Sequence, residues 1–304
     1  MATVRDEPGH EDVMFPACRS LPVPRNTCVF SIDVEDWFHI MDLPTAPRID
    51  QWHTLSSLVE KNFISLLDML DARGVRGTCF FLGWVAERNP GMVREAMARG
   101  HEVASHGYAH DLIYEMSPEE FLGDVRRAKS VLEDITGKAV DGYRAPGFSV
   151  TEEIPWFFEK LVEAGYRYSS SVFPASRQHG GLSEFSAAPC VVDTPRGSIL
   201  EFPIPVATVF GRQMCFFGGG YLRLFPYGLI KRMGRQVLAE GRPLVFYIHP
   251  REIDPSHPRL EMPLGRRFKS YVGLDTTVGK LDSILREFSL LPFAELIRGE
   301  SLSE

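Results

Sequence analysis

The segment Ser105-His106-Gly107-Tyr108-Ala109-His110 sets two imidazoles four positions apart, and Asp33-Val34-Glu35-Asp36 gathers three carboxylates upstream. Two histidines and one carboxylate form a facial donor set for a divalent ion, with positions left open for water and substrate. A second carboxylate beside such a site can take the proton of the attacking water. His249 follows the apolar run Leu244-Val245-Phe246-Tyr247-Ile248 and is a candidate acid. Together these residues point to metal-assisted hydrolysis.

Such groups act only if the chain delivers them to one place. The β-branched and aromatic run Thr27–Val34 predicts a buried strand that carries Asp33 at its C-terminal end. Leu55, Leu58, Val59, Phe63, Leu66, Leu67 and Leu70 recur at helical spacing, and Gly74 stops that helix. Thr78–Leu82 reads as the next strand, Trp84–Arg99 as a helix ended by Gly100, and His101–Ser105 as a strand running into the histidine pair. Ser117-Pro118-Glu119-Glu120 supplies a cap, a first-turn proline and acids for a helix reaching Thr136 and stopping at Gly137. Gly142-Tyr143-Arg144 is a brief strand, Thr151-Glu152-Glu153 opens a helix closed by Gly165, and Tyr166–Val172 returns as a strand. Strands alternating with helices imply parallel βαβ units with active residues at strand C-termini. Asp33, His106, Arg144 and His249 all stand just after predicted strands. Beyond Phe173 the rhythm breaks: Ile199–Val209 is a strand interrupted by Pro203 and Pro205, suited to an edge or rim. Gly218-Gly219-Gly220-Tyr221 reads as a loop that approaches a ligand closely, without the spacing of a nucleotide cradle. Pro226–Glu240 and Thr276–Phe288 read as helices.

Composition sets the outer limits. With 304 residues, 44% of them hydrophobic, the chain can bury one large core. A net charge of −7 argues against a nucleic-acid surface. Cys18, Cys28, Cys79, Cys190 and Cys215 are dispersed with no CxxC pair, against a disulfide framework or a cysteine zinc site. The opening stretch carries Arg5, Asp6, Glu7, Glu11 and Asp12 before any apolar run, the reverse of a signal peptide, and nothing approaches the ~18 apolar residues of a membrane span. The expected address is the cytoplasm.

Five segments in order carry a resemblance: FSIDVEDWFH at 30–39, SHGYAH at 105–110, YRAPGFS at 143–149, GYRYSSSVFP at 165–174 and VFYIHPREIDPSHPR at 245–259. The chain resembles the polysaccharide deacetylases of carbohydrate esterase family 4, the NodB-homology group, from about Thr27 to Phe293. FPIPV at 202–206 and GGGYLRLFPY at 218–227 look like markers of the exosortase-associated subgroup with a C-terminal extension. The resemblance implies an α/β fold, a distorted (β/α)7 barrel. Residues 1–26 would be a lead-in, 27–293 one deacetylase barrel whose extension spans roughly 200–293, and 294–304 a tail.

The activity implied is removal of N-acetyl groups from an amino sugar of a bacterial polysaccharide or its precursor, with one divalent ion. Zinc suits the donors best, with nickel, cobalt and manganese as alternatives. By position Asp33 matches the base, His106 and His110 metal ligands, Arg144 the arginine that orients the base, and His249 the acid. The metal-binding acid stays open between Glu35, two positions after the base, and Asp36, which a strand-end bulge would bring in. An Asp usual in the fourth segment, which tunes the acid, is replaced within Ser169-Ser170-Ser171, and Arg251 stands where the subgroup has Trp. Arg251 could contact an anionic substrate group. Trp37, Phe38, Trp84, Tyr108, Phe148, Phe173 and Tyr221 are candidates for a sugar platform, with Pro146 beside them. His39, His53, His179 and His257 read as loop residues. The expected partner is an N-acetylated glycan or precursor, with a homo-oligomer compatible. The rival readings are a small-amide hydrolase of allantoinase or polyamine-deacetylase type on the same barrel, and a catalytically silent glycan binder.

Overall fold

The computed structural model describes residues 15–298 apart from 17, 42 and 177–179. Most of the lead-in, the end of the tail and His179 therefore lie outside the described residues. Parallel strands form the centre: β1 (Cys28–Val34), β2 (Thr78–Phe81), β3 (Glu102–Ser105), β4 (Gly142–Tyr143), β5 (Tyr168–Ser169), β6 (Gly197–Glu201) and β7 (Leu244–Ile248). The ladder runs β6-β5-β4-β3-β2-β1-β7, parallel at every step. Strand alternation explains its two faces. Cys28, Phe30, Ile32 and Val34 of β1 pack outward against the helices. Val29 turns inward with Phe80, Ala104, Tyr168, Leu200 and Val245, and Phe293 packs in the same cluster.

Among the described residues no ladder joins β6 to β7, so the barrel has an open seam, which is its distortion. Phe148, Phe173, Ile204, Val206, Cys215 and Tyr247 cluster there. The free edge of β7 is met instead by Phe217, whose carbonyl accepts from Tyr247 N–H at 3.1 Å, and by a bridge from Gly218 to Tyr247. A Cβ at Gly218 would stand 2.1 Å from the Tyr247 ring, so only glycine admits this approach.

Several sequence boundaries move, each for a local reason. The helix expected from Leu55 starts at Val59 and ends at Asp71, with Leu58 and Val59 N–H groups bonded to Asp36 from a distant loop. The expected helix 84–99 is two, Gly83–Arg88 and Pro90–Ala98, because Pro90 has no N–H to continue the first and sits at the start of the second. The helix expected from Thr151 begins at Phe157, after turns that include Pro155. Pro203 and Pro205 divide 199–209 into β6 and a hairpin, Ala207–Val209 with Arg212–Met214. The glycine-rich segment at 218–221 is not a loop: Gly219–Leu224 is helical. Part of the lead-in is also structured, since Cys18–Ser20 pairs with Cys190–Thr194 at the sheet edge and Arg19 forks onto Asp193. Helix Leu264–Tyr271 lies outside the elements expected from the sequence. The helix at Pro118–Thr136 matches, with its capping box of Ser117 and Glu120.

Glu201 at the end of β6 accepts hydrogen bonds from Ser171 N (3.0 Å) and Val172 N (2.8 Å) on one oxygen, tying down the strand end of β5. Burial pushes its carboxyl up to about 7 against those hydrogen bonds. A folded-state value above the unfolded one means that the folded chain holds the proton more tightly, so this contribution is present below pH 4.5 and lost as pH rises towards about 7. Glu201→Gln keeps the accepting oxygen and is expected to flatten that decline, which reaches at most ~1.4 kcal/mol per pH unit. Urea midpoints across this range that still fall in the variant would assign the decline elsewhere. Gly218→Ala is expected to lose ~1–3 kcal/mol by overpacking. Gly123→Ala, with nothing within 4 Å of the added Cβ in mid-helix, is expected to gain up to ~1 kcal/mol. Equal denaturation midpoints for the two would contradict the seam packing.

Candidate active site

The C-terminal ends of β1, β3, β4 and β7 lie along one end of the sheet, with β2 between β1 and β3, and the residues just past them converge. Arg144, fully buried after β4, donates from Nη1 to Asp33 Oδ1 at 2.7 Å and to Ser31 Oγ at 2.8 Å. Its Nε and Nη2 reach the Ser170 carbonyl and Oγ, both at 3.1 Å. The guanidinium also lies 4.2 Å from the Phe80 ring centre. Ser171 Oγ accepts from Ala145 N at 2.9 Å. The serine run is therefore the cradle of Arg144.

Glu35, His106 and His110 offer ligand atoms that all lie within 4.8 Å of one another, and all three are buried. The Arg144 carbonyl accepts from His106 Nδ1 at 2.8 Å, which leaves Nε2 as the lone-pair nitrogen. Burial lowers the His106 pKa to about 4, so the ring is neutral, as a metal ligand must be. His110 adopts a positive φ of 59°, a conformation uncommon outside glycine. Its Nε2 lies 2.6 Å from Glu35 Oε2 without the alignment of a hydrogen bond. Two donor atoms facing each other in that way fit a shared cation. Burial would raise the Glu35 pKa, but His110, His249 and Arg251 outweigh it and hold the carboxylate well below its usual range. Asp36 faces elsewhere: Oδ1 accepts from Trp37 N at 2.8 Å and Oδ2 from Leu58 N at 3.1 Å. Burial of these two acids differs little, so orientation decides which one meets the histidines.

His249 Nε2 stands 3.8 Å from both Asp33 Oδ2 and Glu35 Oε1. Its Nδ1 donates to Glu252 Oε2 at 2.9 Å, and Glu252 Oε1 accepts from Arg223 Nε at 2.6 Å. Burial lowers the His249 pKa, but the Glu35, Glu252 and Asp33 charges raise it above the ordinary value on balance. Glu252 is thus the carboxylate behind the imidazole, in place of one from the serine segment. Sequence reading passed over it, although its position three residues after His249 was the available signal.

Asp33, Glu35, His106, His110 and His249 line one cavity of about 510 Å³, within the range of small-molecule sites. Phe148, Tyr221 and Arg251 line it too. Trp37, Tyr108 and Pro146 are buried and are not among its lining residues. Trp37 Nε1 donates to the Ser56 carbonyl. Tyr108 OH bonds Glu87 and Arg127. Pro146 starts the turn that carries Phe148. Phe38 and Trp84 belong to the main core and Phe173 to the seam. His53 is exposed, and His257 is buried against the Asp254 carbonyl. His39 is more than a loop residue: it lines the cavity, accepts from Asp36 N on Nδ1 at 2.9 Å, and has a buried Nε2 without a hydrogen bond among the described residues. Burial and His110 hold its pKa well below the usual value, so the ring is neutral.

The polysaccharide deacetylase family model matches residues 52–169, and a domain of unknown function, DUF3473, matches 170–298. His106, His110 and Arg144 fall in the first match, His249 and Glu252 in the second, and Asp33 and Glu35 before both. Peptidoglycan-N-acetylglucosamine deacetylase PgdA of Listeria monocytogenes is 29% identical over 89 residues, 29% of this chain and 19% of that protein. Chitin deacetylase of Colletotrichum lindemuthianum is 36% identical over 89 residues, 28% of this chain and 36% of that protein. The chain thus spans well under half the length of either relative. A Mycobacterium smegmatis protein assigned to the polysaccharide deacetylases superposes with a TM-score of 0.62 at 20% identity, covering 94% of each chain. Puue allantoinase gives 0.60 at 16% identity, over 90% of this chain and 89% of its own. At these identities the two structures establish the barrel-type fold. No helix among the described residues is long and apolar enough to cross a membrane. Likeness to the polysaccharide deacetylase family model is thus carried by residues 52–169, and likeness of fold by most of the chain.

Proposed function

We propose that the chain is a metal-dependent hydrolase that removes N-acetyl groups from an amino sugar of a bacterial polysaccharide or its precursor. The observation that carries this reading is the convergence of Asp33, Glu35, His106, His110 and His249 on one cavity. We further propose that 27–293 acts as one deacetylase unit of the exosortase-associated kind, with the segment from about 200 supplying the acid and the far wall.

Glu35, His106 and His110 would hold one divalent ion, for which zinc suits the donor set. Once bound, such an ion polarises the amide carbonyl and lowers the pKa of water. Asp33 accepts the proton of the attacking water on Oδ2, while Arg144 holds Oδ1 and orients the carboxylate. His249 delivers a proton from Nε2 to the departing nitrogen, so acetate and a free amino sugar leave. Glu252 fixes the tautomer by accepting from Nδ1 and favours the cationic imidazole.

Zinc-loaded protein incubated with chitooligosaccharides, UDP-N-acetylglucosamine and small amides, with acetate and free amine measured, tests the activity. Hydrolysis of the small amides alone would replace the reading with a small-amide hydrolase. Asp33→Asn is expected to lower kcat by ~10²–10⁴-fold while metal content stays, because the amide keeps the shape and loses the base. Near-normal turnover would move the base to another group. His106→Ala and His110→Ala are each expected to reduce bound metal, read by elemental analysis after equilibration with zinc. Full occupancy in both would remove these residues from the ligand set.

A further inference from the structure

The cavity wall that runs from beside the proposed ion site to helix Leu264–Tyr271 carries more positive charge than hydrolysis of a neutral amide requires. Among the described residues, the carboxylates lining the cavity are Asp33 and Glu35, while Arg223, Arg251, Arg266 and Lys269 line it as well. Arg223 is already neutralised: Nε holds Glu252, and its other nitrogens bond the Lys269, Ser270 and Val272 carbonyls. Asp33 is held by Arg144, and Glu35 faces His110. Among the described residues Arg251 makes only a 3.8 Å ion pair with Glu35 Oε1, and Arg266 and Lys269 bring two further cationic side chains to the same lining.

Arg251 is the most telling of them. Only 13% of its side chain is exposed, and Nε and Nη1 are buried with no hydrogen bond among the described residues. Its nearest carboxylate oxygen, Glu35 Oε1, lies 3.8 Å from Nε, beyond hydrogen-bond length. A planar fork of N–H groups on a side chain that lines a cavity matches the paired oxygens of a phosphate or carboxylate. Arg266 and Lys269 sit three positions apart on helix Leu264–Tyr271 and both reach the same cavity.

We infer that this wall is a subsite for an anionic group, a phosphate ester or a carboxylate, on the acetylated sugar or directly linked to it. Arg251 forms its base and Arg266 and Lys269 its rim. The inference rests on the deacetylase reading for the identity of the sugar, and it makes the preferred substrate an acidic amino sugar rather than a neutral one.

Titration calorimetry on the zinc-loaded full chain tests it with N-acetylglucosamine 1-phosphate, N-acetylglucosaminuronic acid and neutral N-acetylglucosamine. At least one anionic sugar is expected to bind about tenfold or more tightly than the neutral one. That preference should shrink at about 0.5 M salt, and should fall in Arg251→Gln and in the Arg266→Gln, Lys269→Gln double variant. Tighter binding of the phosphate assigns a phosphorylated sugar, and tighter binding of the uronate assigns a carboxylate. Circular dichroism and metal content of the variants verify that they are folded and loaded. Equal affinity for neutral and anionic sugars, absence of anion binding, or a preference that survives both sets of substitutions would overturn the subsite. Acetate release from neutral chitooligosaccharides by the same preparation would then leave the deacetylase reading standing. A preserved anion preference without acetate release from any of these sugars would remove that reading alone.

Discussion

The buried ion pair between Arg144 and Asp33 is the interaction on which the arrangement depends. An arginine with no exposed surface must satisfy its donors within the protein. Asp33, Ser31 and Ser170 take them, so one side chain joins the ends of β1, β4 and β5. Its backbone carbonyl also accepts from His106 and fixes that ring. Loss of the guanidinium would leave a buried carboxylate uncompensated and loosen the proposed base and a proposed ligand together. The site and the strand packing are thus one network, which explains why its members come from segments far apart in sequence.

The open seam has a comparable consequence for the other wall. Because β6 and β7 do not pair among the described residues, the chain from Phe202 to Gly218 fills the gap with side chains, and helix Gly219–Leu224 begins where the backbone crosses Tyr247. That crossing places Arg223 behind Glu252, and Glu252 behind His249. The support of the imidazole is therefore built from its own turn and the seam-crossing helix. The junction between the two family matches, at 169 and 170, falls inside this network, so neither matched region contains the whole constellation.

Much of the barrel was legible before any coordinates. The run Thr27–Val34, which forms a strand from Cys28, the capping box before Phe121 and the apolar Leu244–Ile248 are local signals that the structure bears out. Boundaries moved where a distant group intervened, as when the Asp36 carboxylate met the N-terminus of helix Val59–Asp71. Such contacts leave no periodic trace. The short strand Cys18–Ser20 escaped because it is held by its partner strand Cys190–Thr194 rather than by propensity.

By itself the sequence determined the residue types, their order and their delivery at strand ends, because hydrophobic alternation and caps act over a few positions. Only the tertiary structure decided which of two neighbouring acids faces the histidines. Asp36 turns to backbone N–H groups 22 positions away, and Glu35 turns to His110. It likewise decided that Trp37 and Tyr108 belong to the packing while His39, Glu252 and Arg251 belong to the site. Side-chain direction at a strand end depends on what the rest of the chain offers as hydrogen-bond partners, and that is set in space rather than along the sequence.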